Sequence, residues 1–126
     1  MGERMQIGEV AERTGLSLRT IRYYEEVGLV VPSARSQGGF RLYTDPDVDR
    51  LELIKGMKPL GFQLDEMRDL LAILDPTPDA PEIEEPQRRL SDFSAQAEQS
   101  CRKLRTRLAL AERFAAMLRD RLDAPE

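Results

Sequence analysis

The chain has 126 residues, a formal net charge of −4, 40% hydrophobic and 33% charged residues, which suits one compact domain with a long helical appendage and not two full domains. One Cys and no His exclude the usual zinc ligand sets, Ser/His and Cys/His catalytic pairs and any intrachain disulfide framework, so no enzyme, metal site or cofactor is expected. No apolar run approaches the roughly 18 residues of a membrane span, and the first ten residues lack the apolar stretch of a signal peptide, so a cytoplasmic protein with no membrane partner is expected.

The charge is unevenly spread. Residues 1–60 hold nine acids and nine bases, residues 61–86 are net −7, and residues 87–126 are net +3. The acidity belongs to one middle segment, and an acidic average does not exclude a local nucleic-acid surface.

Ile7, Val10 and Ala11 have helical spacing and Gly15 suits the left-handed position that ends a helix, which predicts a first helix over 7–14. Ser17 is placed to cap a second helix, about 17–27, with Ile21, Tyr24 and Val27 inward and Gly28 as its stop. Two short helices about a tight Thr14-Gly15-Leu16 turn form a helix-turn-helix, whose second helix can enter a major groove. Arg19, Thr20, Arg22 and Tyr23 fall on its outer face, where Arg reads guanine or binds phosphate and a Tyr hydroxyl positions phosphate.

Residues 29–43 read as a small β-ribbon, Leu29-Val30-Val31 and Phe40-Arg41-Leu42-Tyr43 about a Gly38-Gly39 loop. It carries Arg35, Arg41 and Tyr43 as further DNA candidates; Tyr43 is alternatively a packed aromatic. Thr44 with Asp47 approximates a capping box for a third helix with Val48, Leu51, Ile54 and Met57 inward. Lys55 and Lys58 are either phosphate contacts or loose surface lysines. A fourth helix is expected over 64–74, with Leu64, Met67, Leu70, Leu71 and Leu74 on one side. Residues 75–86, with four Pro and five acids, have linker composition.

From Gln87 to Leu122 there is neither Gly nor Pro, which predicts one helix of about 36 residues, roughly 54 Å long. Leu90, Ser94, Ala97, Cys101, Leu104, Leu108, Ala111, Ala115, Leu118 and Leu122 alternate by four and three, the spacing of a coiled-coil seam. A stripe so narrow needs a partner helix, so a homodimer is expected through Leu90, Ala97, Cys101, Leu104, Leu108, Ala111 and Leu118. Within it Cys101 reads as a small apolar residue, with a thiol switch as the alternative. Leu110, Phe114 and Met117 form a second stripe, suited to packing against the partner's fourth helix or to a pocket for a small apolar effector.

The segment from Ile7 to Ser17, the string Arg19-Thr20-Ile21-Arg22-Tyr23-Tyr24-Glu25, Gly28-Leu29, the wing Gly39-Phe40-Arg41-Leu42-Tyr43 and the Leu60-Gly61-Phe62 break together resemble the MerR family of bacterial transcription regulators. The resemblance covers residues 5–122; Gly56, Pro59 and Gln63 depart from the family pattern around the second wing. It implies a mainly α fold in four parts: a winged helix-turn-helix domain over 1–74, a linker over 75–86, a dimerisation helix over 87–122 paired antiparallel, and a tail over 123–126. It further implies a dimer that bends and untwists over-long promoter spacers so that RNA polymerase engages both elements. The rivals are an excisionase-like architectural protein without effector sensing and a helical protein-interaction module using the Leu110-Phe114-Met117 stripe.

Overall fold

A computed structural model describes residues 4–32, 34–35 and 38–125, with Ala34 and Arg35 described by backbone only. The order is α1 (Ile7–Thr14), α2 (Leu18–Glu26), β1 (Ala34–Arg35), β2 (Arg41–Leu42), α3 (Asp45–Met57), a 3-10 turn (Lys58–Leu60), α4 (Leu64–Leu74) and α5 (Pro86–Asp123). It forms two compact units, residues 1–86 and residues 87–126.

In the first unit, Val10, Ile21, Tyr24, Leu29, Val30, Leu51, Ile54, Met57, Met67, Leu70 and Leu71 are buried and form the core. Gly15, at φ +74, closes α1 with its N–H on Ala11 O, a left-handed conformation that costs glycine little. The buried Thr14 hydroxyl donates to Val10 O (2.9 Å) and accepts from Leu16 N (3.2 Å), so the turn consumes its own polar groups. Ser17 Oγ then accepts from Thr20 N at 3.0 Å and opens α2. At α3 the Asp47 carboxylate accepts from Thr44 N at 2.9 Å and completes a capping box. Gln63 also works as a cap: Glu66 Oε1 accepts from its backbone N at 2.9 Å in a second capping box. Gly56 lies inside α3, and Pro59 falls in the 3-10 turn that Gly61 ends at φ +79.

The ribbon is shorter than expected. Leu29 and Val30 do not form a strand; they are buried beside α2 with their N–H groups directed at Tyr24 O. Here burial and the helix-terminal carbonyl outcompete ladder pairing. Antiparallel pairing is confined to Ala34 with Leu42 and Arg35 with Arg41. Tyr43 pairs instead with Met5, each N–H on the other's carbonyl at 2.7 Å. Leu74, expected inward, is exposed.

Two side chains replace ladder bonds after α2. Arg50 Nε donates to Leu29 O and its Nη1 to Asp75 O, both at 2.6 Å, while Arg68 Nη2 donates to Val27 O at 2.6 Å. In the second unit, α5 runs unbroken for 38 residues; Phe93 is buried, with the Arg89 guanidinium 4.2 Å above its ring. Among the described residues no helix is long and apolar enough to cross a membrane.

Candidate nucleic-acid interface

The inner face of α2 buries Ile21 and Tyr24. Helical geometry therefore turns residues 19, 22 and 23 outward, and Arg19, Arg22 and Tyr23 are exposed, Tyr23 by half its surface. Thr20 is half-buried, and its hydroxyl accepts from Ser17 Oγ at 2.8 Å. The Tyr23 and Tyr24 rings lie 5.8 Å apart at a 54° tilt. Burial, reinforced by Tyr23, raises the Tyr24 pKa above 10.0, so it stays neutral.

Recesses flank the helix on both sides. An open groove of about 430 Å³ is lined by Arg19, Thr20, Tyr23 and Lys58, with Phe62 and Met67 behind them. A smaller cleft of about 140 Å³ is lined by Arg22, Arg41, Gly39 and Phe40, with Gln6 and Ile7 at the start of α1. Each pairs a cation of α2 with one from a neighbouring element, an arrangement suited to oxygens of a polyanion backbone.

Several expected contacts are placed differently. Tyr43 is fully buried and its hydroxyl donates to Glu25 Oε2 at 2.9 Å, so it is a packed aromatic and not a surface contact. Burial and that hydrogen bond raise its pKa well above 10.0. Arg41 is not a free cation: its Nε is bonded to Glu25 Oε1, and that bond to the carboxylate pushes its pKa up further, so it stays charged. The Arg35 side chain lies outside the described residues. Lys55 Nζ donates to Thr14 O at 2.8 Å and pairs with Glu52 at 3.0 Å, fastening the helix-turn-helix turn to α3. Glu25 carries no mark of its role toward Arg41 and Tyr43 in the sequence beyond its place in the Arg-Tyr-Tyr-Glu string. Its signal was the spacing of Arg41 and Tyr43, two residues apart and hence on one side of a strand.

On α5, Leu90, Ala97, Cys101 and Leu104 are half-buried, while Leu108, Ala111 and Leu118 are exposed. Leu110, Phe114 and Met117 are exposed as well. Among the described residues no cluster of three or more His, Cys, Asp or Glu is arranged to hold a metal ion.

Two family models match: "MerR HTH family regulatory protein" over residues 5–73 and "MerR, DNA binding" over residues 48–124. The mercuric resistance operon regulatory protein of Bacillus cereus is 44% identical over 72 residues, 57% of this chain and 54% of that protein. ZntR, a transcriptional regulator of Escherichia coli, is 44% identical over 56% of this chain and 51% of its own length. The chain thus spans about half the length of these relatives. Among solved structures, a MerR-family regulator from Bacillus cereus has a TM-score of 0.60 at 33% identity, covering 92% of this chain and 75% of that one. HiNmlR, a MerR-family regulator lacking the sensor domain and bound to promoter DNA, has a TM-score of 0.67 at 25% identity, covering 95% and 84%. With a family model over more than half of its residues and the winged helix-turn-helix and long terminal helix of these structures, the chain belongs to the MerR family.

Proposed function

We propose that the chain is a homodimeric, sequence-specific transcription regulator of the cytoplasm that binds double-stranded promoter DNA. The observation that carries this reading is the outer face of α2, where Arg19, Arg22 and Tyr23 stand exposed on a helix whose other face is locked into the core. Arg22 is the side chain assigned to a base edge; Arg19, Tyr23, Lys58 and the remaining Arg41 donors are assigned to phosphates. The seam of α5 supplies the second copy, and two recognition helices then read two half-sites.

The resemblance of the chain to a regulator bound to promoter DNA supports action at a promoter. Bending and untwisting the spacer, so that RNA polymerase engages both elements, costs a few kcal/mol, which phosphate contacts of this number can offset. The exposed Leu110, Phe114 and Met117 stripe is the place assigned to a small apolar effector. No catalytic role is proposed.

The test is selection of duplexes from a random library by the full chain, followed by footprinting and transcription with purified polymerase. Enrichment of a two-fold-related site within a promoter spacer, with altered transcript level, is expected. Binding without sequence enrichment would refute sequence-specific regulation, and enrichment without a transcriptional effect would favour an architectural role.

A further inference from the structure

Glu25 is almost covered, with its side chain 12% exposed, and an ionised carboxylate so placed requires partners. Both of its oxygens are engaged by the wing: Oε1 by Arg41 Nε, Oε2 by the Tyr43 hydroxyl at 2.9 Å. Tyr43 is itself anchored, its ring buried and its backbone paired in both directions with Met5. A chain of fixed groups therefore runs from the core through Tyr43 and Glu25 to Arg41. A guanidinium has five N–H donors; the carboxylate takes the one on Nε, and Arg41 lines the same cleft as Arg22.

Two consequences follow from elementary electrostatics. Cations attract phosphate whatever the sequence, so affinity for arbitrary DNA grows with the number of uncompensated charges. Specificity instead requires that each cation have one position relative to the recognition helix. Glu25 acts on both: it compensates one of the two arginines at the cleft and fixes where the wing presents it against α2.

We propose that Glu25 is the positioning residue that sets DNA specificity, coupling the wing to the recognition helix through Arg41 and Tyr43 and suppressing indiscriminate attraction of Arg41 to phosphate. This rests on the DNA-binding reading above.

The test uses the full chain, the duplex enriched by the wild type from a random library, and the unselected random pool, each titrated over a range of salt. Glu25→Gln keeps the size and an acceptor oxygen while removing the charge. Its affinity for the random pool should rise roughly three- to tenfold, and its log–log salt slope should steepen by about 0.9, the effect of one more uncompensated cation against phosphate. The ratio of selected to random affinity should fall at least fivefold. Arg41→Lys keeps the ion pair but lacks the Nε geometry, and should lose that ratio at an unchanged slope. A merely structural Glu25 predicts equal losses on both DNAs at the wild-type slope, and that result overturns the proposal, as does a wild-type ratio in Arg41→Lys. If Glu25→Gln has lost its far-UV circular dichroism, Arg41→Lys alone decides. A wild type that enriches no sequence defeats the DNA-binding reading and the proposal with it, an outcome distinct from normal enrichment with unaltered variants.

Discussion

Leu108 occupies the middle of the α5 seam and is 58% exposed in the single chain. Complete burial of a leucine is worth about 1.5–3 kcal/mol, so covering what remains exposed contributes about 1–1.5 kcal/mol per copy. Symmetry doubles this to about 2–3 kcal/mol for the pair. Leu108→Ala should therefore raise the dimer dissociation constant roughly 30- to 140-fold, at about 1.4 kcal/mol per factor of ten. The methyl that alanine retains reduces the loss and the cavity it leaves increases it. Thr106, on the same helix but off the seam, donates its hydroxyl to Arg102 O at 3.2 Å, and Thr106→Ala should leave the constant within about twofold. Sedimentation equilibrium over a concentration series measures all three proteins. A Leu108→Ala dimer as tight as wild type would mean that the seam is not where two chains meet.

Arg22→Ala should weaken the selected duplex by about 1–3 kcal/mol if it reads a base; a titration at fixed salt that finds no change removes it from the interface. Tyr43 holds its proton in the folded state above the ordinary pKa of 10.0, so its contribution to stability is complete below about pH 10 and is lost as pH rises beyond that. Tyr43→Phe should accordingly lose less melting temperature than wild type between about pH 9 and pH 11, one unit either side of the ordinary tyrosine value; parallel losses would show that the hydroxyl has no linked role. Cys101 is half-buried on α5, and oxidant, zinc or mercury should alter promoter activity equally little in wild type and Cys101→Ser. A response confined to the wild type would make that thiol a sensor.

The helical part of the fold was legible because its signals are local. Gly15, Ser17 and the Thr44 and Asp47 pair mark helix ends through backbone groups only a few residues away, and α1 and α4 have the expected bounds. The ribbon was not legible in the same way. Leu29 and Val30 have strand composition, but burial and the Tyr24 carbonyl take up their N–H groups, and Arg50, 21 residues on from Leu29, supplies a donor to the Leu29 carbonyl. Arg41 and Tyr43 were legible as members of the wing and not in their partners, because the carboxylate between them comes from α2, 16 and 18 residues earlier. A lone Glu in a charged helix carries no local mark of burial. Lys55 illustrates the converse: its surface composition conceals a bond to the carbonyl of Thr14, 41 residues away.

The carbonyls of Val27 and Leu29, immediately past the recognition helix, are held by guanidinium groups of α4 and α3. Water would hold such carbonyls without resisting displacement, whereas two short charged tethers make the stub of α2 a mechanical extension of the helices behind it. Arg50 also grips Asp75 at the end of α4 through both backbone and carboxylate. One side chain thus ties residue 75 to residue 29, just past α2, across some forty-five residues of intervening chain. An insertion between Val27 and Leu29 would separate the two tethered carbonyls and loosen the end of α2 from the helices behind it.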